Sequence, residues 1–137
     1  MILVDSCVLI DVLSRDPNWF EWSKSQIARA AIGAYLVINP VVIGEVARDF
    51  ESFERLNTIL AAMLIGIEPL DAPSGYMAGK AFEEYRLRRG ADTPKLPLPD
   101  FLIGGHAQSL GATILTRDAR FYRSYFPTVP LITPERV

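Results

Sequence analysis

Short apolar runs alternate along the chain with longer stretches in which apolar residues recur at helical spacing. The short runs suit parallel strands that are buried on both faces. They are Ile2–Val4, Tyr35–Ile38, Ile67–Pro69, Thr113–Leu115 and Leu131–Ile132. The longer stretches predict helices over Ser6–Leu13, Trp19–Ile32, Val41–Arg48, Phe53–Leu64, Ser74–Arg89, Phe101–Leu110 and Ala119–Tyr125. This alternation predicts an α/β sandwich with a central, mostly parallel sheet of about five strands.

The composition is that of a globular chain, and we expect residues 1–137 to form one domain. Half of the 137 residues are hydrophobic, but no apolar run approaches the roughly 18 to 20 residues of a membrane span. The opening residues have no basic stretch before the apolar ones, so they do not predict a signal peptide. Cys7 is the only cysteine, which suits a reducing compartment. We therefore expect a cytoplasmic protein without a membrane segment.

The two halves of the chain differ in charge. Residues 1–79 carry 5 basic and 10 acidic side chains, whereas residues 80–137 carry 9 basic and 6 acidic ones. The basic side chains cluster at two places, namely Lys80, Arg86, Arg88, Arg89 and Lys95, and then Arg117, Arg120 and Arg123. A local positive surface can bind phosphates even though the formal net charge is −2. Solvated helix faces are the other interpretation of both clusters.

Three aspartates lie where the predicted strands and loops meet one edge of the sheet. Asp5 directly follows Ile2–Val4, and Asp118 follows Thr113–Leu115 at a distance of three residues. Asp100 begins the predicted sixth helix. Sites in such sheets form beyond the carboxyl ends of the strands. Each aspartate also suits the start of a helix, where it caps a backbone N–H or offsets the helix dipole.

Glu45 is the fourth candidate, and it lies inside a predicted helix that starts from the same edge. Its neighbours Val41, Val42, Ile43 and Val46 are apolar, unlike those of a fully solvated face. Crowded carboxylates repel one another unless a cation offsets their charge. Mg²⁺ and Mn²⁺ prefer oxygen ligands, so four such acids predict a divalent metal site suited to phosphodiester hydrolysis.

Four other polar residues near these acids have simpler interpretations. We expect Asp11 to be a surface residue, because it lies off the helical face of Asp5. We expect His106 to have a packing or surface role and Cys7 to be a small buried hydrophobe. Arg117 adjoins the acidic edge, where it can pair with a carboxylate or contact RNA.

At these residues the chain resembles the PIN-domain family, in particular VapC-type toxins of prokaryotic toxin–antitoxin systems. The resemblance covers essentially the full length, and its blocks occur in the family's order. They are Ile2–Asp11, Asn39–Glu45, Pro99–Ala107, Gly111–Asp118 and the tail Arg120–Pro127. Within the first block, Cys7 departs from the small hydroxyl or amide residue that is frequent in the family.

The resemblance implies a three-layer α/β/α fold and a Mg²⁺- or Mn²⁺-dependent endoribonuclease. It implies that a metal-activated water cleaves RNA and leaves a 5′-phosphate and a 3′-hydroxyl. It assigns the metal and the catalysis to four acids, supported by two hydroxyl side chains. These residues are Asp5, Glu45, Asp100 and Asp118, with Ser6 and Thr116. Candidate RNA contacts are Arg86, Arg89 and Arg117.

The resemblance also implies partners. It predicts a homodimer and a VapB-type antitoxin whose C-terminal segment covers the site, in a complex that binds operator DNA through the antitoxin. An apolar stripe over Leu56–Leu64, preceded by Phe50 and Phe53, could receive an amphipathic antitoxin segment. Core packing is the alternative interpretation of that stripe.

Two other functions remain open at this point, while a haloacid-dehalogenase-like phosphatase is weaker, since it needs a second Asp two residues after the first, where this chain has Cys7. A receiver-like phosphoacceptor module also has acids at strand ends and binds Mg²⁺, and Asp71 would be its acceptor. The chain lacks a lysine after its last predicted strand, where such a module needs one. A folded domain that only binds a partner is the second alternative, against which the presence of all four acids argues.

Overall fold

A computed structural model describes residues 1–91 and 95–134. The predicted domain 1–137 therefore includes six residues, 92–94 and 135–137, that lie outside the described ranges. The strands are β1 (Ile2–Val4), β2 (Leu36–Ile38), β3 (Ile65–Ile67), β4 (Thr113–Leu115) and β5 (Leu131–Ile132). The helices are α1 (Ser6–Leu13), α2 (Phe20–Gly33), α3 (Pro40–Val46), α4 (Phe53–Ala62), α5 (Ala72–Arg88), α6 (Leu98–Leu110) and α7 (Ala119–Tyr125), and a 3₁₀ turn (Ala47–Asp49) follows α3.

The five strands form one sheet in the order β3-β2-β1-β4-β5, and every neighbouring pair is parallel. The chain builds the sheet outwards from β1 to β3 and then crosses back to place β4 on the other side of β1. Leu3 pairs with Val37 on one side and with Ile114 on the other. The switch in strand order therefore lies between β1 and β4, where ligand sites of such sheets form.

The core of the protein is the sheet together with the helices on both of its faces. Consecutive strand residues point to opposite faces, yet Leu3 and Val4 are both fully buried, as are Ile114 and Leu115. Helices must therefore cover both faces of the sheet, which gives the three-layer α/β/α arrangement that was expected. Within the described ranges, no helix has the length and apolar character needed to cross a membrane.

The third strand occupies Ile65–Ile67 rather than the predicted Ile67–Pro69. Helix α4 ends at Ala62, and Leu64 turns the chain with a φ of 60°. Glycine usually supplies that left-handed conformation, so an apolar run without glycine was assigned to the helix. Helices α5 and α6 also begin two to three residues earlier than predicted, because each includes a proline in its first turn.

Helices α5 and α6 pack closely, and this contact sets the position of the first turn of α6. A Cβ atom on Gly105 would lie 2.7 Å from the backbone nitrogen of Ala78 and from the carbonyl oxygen of Ser74. Only glycine fits this approach, so Gly105 serves helix packing, whereas Gly104 leaves room for the ring of Phe126. The ring of Phe101 next to Asp100 packs edge-on against Phe121 of α7, with centroids 5.0 Å apart.

Candidate active site

Asp5 lies just beyond the end of β1 and is held by three hydrogen bonds from N–H and O–H donors, besides a longer contact with the Cys7 thiol. Its Oδ1 accepts from the backbone N–H of Ser6 at 2.8 Å. Its Oδ2 accepts from the Thr116 hydroxyl at 2.7 Å and from the Tyr122 hydroxyl at 3.1 Å. Only 6% of the residue is exposed, and burial raises the pKa of this carboxyl although the three hydrogen bonds lower it. The contact with Ser6 also caps α1.

Thr116 connects Asp5 to Asp118. The backbone N–H of Asp118 donates to the Thr116 hydroxyl at 2.9 Å, and that hydroxyl donates in turn to Asp5. Asp118 itself is exposed, and its Oδ1 caps α7 by accepting from the N–H of Phe121 at 3.4 Å. The capping role considered for Asp118 is therefore present, and it coexists with a place at the edge of the sheet. One buried hydroxyl fixes two of the predicted acids.

Glu45 faces Ser6 and Asp5 from α3. Burial raises the pKa of its carboxyl and the charge of Asp5 raises it further, whereas a hydrogen bond with the Ser6 side chain lowers it. Its Oε1 is buried and has no hydrogen-bond partner among the described residues. A buried carboxylate oxygen without a donor is costly, so this atom is suited to accept a proton or a cation.

Asp100 brings the fourth carboxyl to the group from the first turn of α6. Its pKa is raised to about 6, first by burial and then by the negative charges of Asp5, Glu45 and Asp118. Electrostatic coupling to all three acids places the predicted quartet in one region. Ser6 and Thr116, the two predicted hydroxyls, contact Glu45 and Asp5 respectively.

The donor set of this region fits a hard divalent cation. The four acids supply only carboxylate oxygens, which Mg²⁺ and Mn²⁺ prefer, and Glu45 adds the orphaned Oε1. In the part of the chain that the structure describes, no three acidic, histidine or cysteine side chains stand close enough together to hold a metal ion. Facing carboxylates repel one another, and a cation is what offsets that repulsion. The chemistry of the site therefore fits the metal, although a preformed ligand cage is not present.

Asp11 is not a surface residue, and the expectation that it would be was wrong. Only 2% of it is exposed, because the side of α1 opposite Asp5 faces α2 and the β4–α7 connection rather than solvent. Its carboxylate accepts from Arg117 Nε at 2.8 Å and from Arg117 Nη2 at 2.9 Å. The Ser23 hydroxyl donates to the same carboxylate at 2.7 Å.

Arg117 therefore pairs with a carboxylate, one of the two roles considered for it, and its contact with RNA remains a prediction. Its guanidinium also lies over the ring of Trp19, 4.9 Å from the centroid. Since Arg117 lies between Thr116 and Asp118, the pair with Asp11 fixes the backbone on which both residues depend. The ion pair anchors the active-site connection to α1 and α2.

His106 has the packing role that was expected, whereas Cys7 is only partly buried and its thiol donates to Asp5. The Cys7 sulfur lies 3.7 Å from Asp5 Oδ2 and 3.8 Å from the Thr116 hydroxyl. Burial raises the pKa of the thiol to about 11, so it is neutral. His106 is fully buried, and its Nδ1 accepts from the amide of Asn39 at 3.2 Å. Asn39 in turn caps α3, so His106 stabilises the start of the helix that carries Glu45.

Arg86 and Arg89 lie exposed at the end of α5. Neither forms an ion pair with a described acid, and their contact with RNA stays a prediction. Tyr122 is the functional residue that the sequence reasoning missed. Its position four residues after Asp118, on a short helix that starts from the acidic edge, was the available signal. Aromatic residues on a short helix most often belong to the core, so spacing alone does not assign Tyr122 to the site.

The receiver-like alternative does not agree with the fold. The observed strand order is β3-β2-β1-β4-β5, whereas receiver-type domains have the order 2-1-3-4-5. Asp71 is exposed and caps α5, because its Oδ1 accepts from the Ser74 N–H at 2.8 Å and from the Ser74 hydroxyl at 2.6 Å. The third strand ends at Ile67, four residues before Asp71.

Comparison with known families agrees with the site and the fold. The model of the PIN domain matches residues 2–127, and the chain belongs to the PIN domain family. Members of this family are nucleases, and they generally use divalent metal ions. A comparison with curated proteins found no match.

Several solved structures share the fold. VapBC2 from Rickettsia felis bound to a DNA fragment from their promoter has a TM-score of 0.71 at 19% identity, over 97% of this chain and 98% of that chain. VapBC-1 from nontypeable Haemophilus influenzae has a TM-score of 0.71 at 17% identity, with the same coverage of 97% and 98%. FitAcB from Neisseria gonorrhoeae has a TM-score of 0.65 at 19% identity over 100% of both chains.

Proposed function

We propose that this protein is a Mg²⁺- or Mn²⁺-dependent endoribonuclease and the toxin of a toxin–antitoxin pair. The observation that carries the nuclease proposal is that four carboxylates converge at one edge of the sheet. The pKa is raised for three of them, namely Asp5, Glu45 and Asp100. Asp100 is raised by the charges of the other three acids together. Such a cluster is costly in a folded protein unless it binds a cation.

Asp5, Glu45, Asp100 and Asp118 would hold the cation, which when bound activates a water for hydrolysis and neutralises charge on the scissile phosphate. Thr116 and Tyr122 orient Asp5 by donating to its Oδ2. Ser6 contacts Glu45 from the first turn of α1, and Asp11 holds Arg117 and thereby the connection that carries Asp118. The products would be a 5′-phosphate and a 3′-hydroxyl.

A VapB-type antitoxin is the proposed protein partner, and the solved VapBC complexes with the same fold support it. A groove of about 240 Å³ beside α3 and α4 suits an amphipathic segment. Ile43, Phe50, Phe53 and Leu56 line it, and it adjoins the helix that carries Glu45. Leu56 and Leu60 of the apolar stripe are buried in the core, whereas Phe53 is 55% exposed and Leu64 is 70% exposed, so these two side chains are available to a partner.

We further propose that the chain forms a homodimer in the cytoplasm and that its complex with the antitoxin binds operator DNA through the antitoxin. The comparison structures bound to promoter DNA support that assembly. Expression of the protein alone is expected to inhibit growth, and coexpression with the antitoxin is expected to restore it. Unimpaired growth of cells that make the folded protein with an intact site would contradict the toxin role.

Cleavage of end-labelled RNA with Mg²⁺ or Mn²⁺ tests the nuclease directly. We expect cleavage by the wild-type protein and its loss in Asp5→Ala and Asp100→Ala, with chelation of the metal abolishing it. Equal cleavage by all three proteins would indicate a contaminating nuclease and would refute the proposed site. End-group analysis of the products checks the position of the phosphate.

A further inference from the structure

A wide groove opens beside Asp118. Its volume is about 1240 Å³. Arg117, Arg120 and Arg123 line it together with Trp19. Asp118 belongs both to this groove and to the acidic cluster, so a molecule lying in the groove reaches the proposed site of cleavage.

The charge of this groove is positive and only partly neutralised. Asp11 neutralises Arg117, but Arg120 and Arg123 are exposed and form no ion pair with any described acid. They are three residues apart on α7 and therefore share one face. On α5, Lys80 and Arg88 pair with glutamates on the same helix at 3.9 and 3.5 Å, whereas Arg86 and Arg89 are also exposed without an ion pair to a described acid. What distinguishes Arg120 and Arg123 is that they line the groove that contains Asp118.

We propose that the groove binds single-stranded RNA adjacent to the scissile bond, an inference that rests on the proposed nuclease function. Arg120 and Arg123 contact successive phosphates, and Trp19 supplies an aromatic surface for a base. Grooves that bind single strands combine basic side chains with aromatic ones in this way. An acidic cluster repels a polyanion, so a basic track beside it is needed to hold the substrate. Arg117 has a different role, since Asp11 occupies its guanidinium.

The two tryptophans of the chain report on this groove. Trp19 lines it, and Trp22 packs against Trp19 with ring centroids 6.0 Å apart. Binding of a mixed-sequence single-stranded RNA of about 12 nucleotides should therefore quench the intrinsic fluorescence. The titration uses Asp100→Asn as the background, without divalent metal, so that the RNA stays intact.

The test compares R120Q/R123Q with the matched pair R29Q/R55Q in that background. Arg29 and Arg55 are exposed on α2 and α4, so both pairs remove two positive charges. We expect R120Q/R123Q to bind the RNA roughly 10-fold more weakly at low salt. The negative slope of log K, the association constant, against log salt concentration should become smaller in magnitude by about 1.4. Affinity and slope equal to those of R29Q/R55Q would overturn the proposal, as would tighter binding of an RNA duplex than of the single strand. Thermal melting of both pairs verifies that they are folded.

Cleavage by proteins with an intact Asp100 separates this proposal from the nuclease proposal. If the wild type cleaves, we expect R120Q/R123Q to lower kcat/KM mainly through a higher KM. A kcat/KM of R120Q/R123Q equal to that of R29Q/R55Q would overturn the proposal that the groove binds the substrate. If the wild type does not cleave any RNA while R120Q/R123Q still weakens binding, the nuclease proposal fails and the groove proposal stands.

Discussion

The two halves of the acidic site differ in how the protein holds them. On the β1–β4 side, Asp5 accepts three hydrogen bonds, and Thr116 links it to Asp118. On the helical side, Glu45 has a buried oxygen without a donor, and the pKa of Asp100 is raised to about 6. The first half is fixed by the fold itself, whereas the second half is stabilised by a proton or a cation. The β1–β4 side therefore fixes the geometry of the site, whereas the helical side gains most from binding a proton or a cation.

Alanine substitutions on the two sides provide the strongest test of this difference. We expect Asp5→Ala and Asp100→Ala each to lower RNA cleavage at least about 100-fold, a loss of roughly 2.7 kcal/mol of transition-state stabilisation. Asp5→Ala should also lower the free energy of unfolding by about 2 kcal/mol, because it leaves buried donors unpaired. Asp100→Ala should leave the free energy of unfolding of the metal-free protein unchanged or higher. Labelled-RNA assays and urea denaturation measure both quantities. Equal destabilisation by the two substitutions would refute the proposed difference between the two sides of the site.

The next largest effect is expected from removing the ion pair between Asp11 and Arg117, which supports the β1–β4 side of the site. Asp11→Asn and Arg117→Gln should each lower the free energy of unfolding by about 2 kcal/mol, less than for a fully buried pair because 28% of the Arg117 side chain is exposed. Cleavage should also fall, since the residue between Thr116 and Asp118 loses its anchor. The exposed Asp49→Asn is the matched control. A double-mutant cycle measures the coupling, and purely additive losses would show that the pair does not act as a unit.

Tyr122 allows a finer test, because one hydroxyl can be removed without changing the packing of the ring. We expect Tyr122→Phe to lower the free energy of unfolding by about 1 kcal/mol and to reduce cleavage, since Asp5 loses one of its donors. Tyr125→Phe is the control, because the Tyr125 hydroxyl makes no hydrogen bond to the described residues. Denaturant titrations of both variants check the difference. Identical behaviour would assign Tyr122 a packing role only.

The smallest expected effect is a pH dependence that belongs to the helical half. The pKa of Asp100 in the folded protein is about 6, above its ordinary value of 3.8, so the folded state binds more protons than the unfolded state between these values. The stability of the metal-free protein should therefore fall as pH rises from about 4 to 6, by roughly 3 °C in Tm.

Divalent metal should reverse this slope, because it binds the ionised carboxylates of the folded state. Thermal melts over this pH range, with and without Mg²⁺, measure both slopes. Asp100→Asn should flatten the metal-free slope. Burial lowers the pKa of His106, which makes the stability of both proteins rise with pH, so the difference between the wild type and Asp100→Asn is the measure. Equal metal-free slopes of the two proteins would contradict the raised pKa of Asp100.

The sequence predicts the fold well where local signals are strong. The strands β1, β4 and β5 occupy the predicted residues, because each is a short apolar run bounded by polar or turn residues. The third strand was displaced, because Leu64 adopts a left-handed conformation that its side chain does not signal. Tertiary contacts decide such a position, and a single sequence does not contain them.

The candidate site was predictable in its acids and not in its supporting contacts. Asp5 and Asp118 follow strands, so position alone indicates their edge of the sheet. The burial of Asp11 depends on Arg117, which lies 106 residues further along the chain. Tyr122 reaches Asp5 across 117 residues. Spacing along one helix says nothing about such pairs, because their geometry exists only after the sheet has formed.

The link between Thr116 and Asp5 joins residues that are 111 positions apart, across the central pair of strands. A chain emerging from the ribosome therefore carries Asp5 long before the partners that orient it have been synthesised. Contacts of such separation form late, since the long intervening loop must close first. The acidic site of the nascent protein is thus incomplete until β4 and α7 have been made. The topology thereby links the assembly of the proposed active site to the synthesis of these two elements.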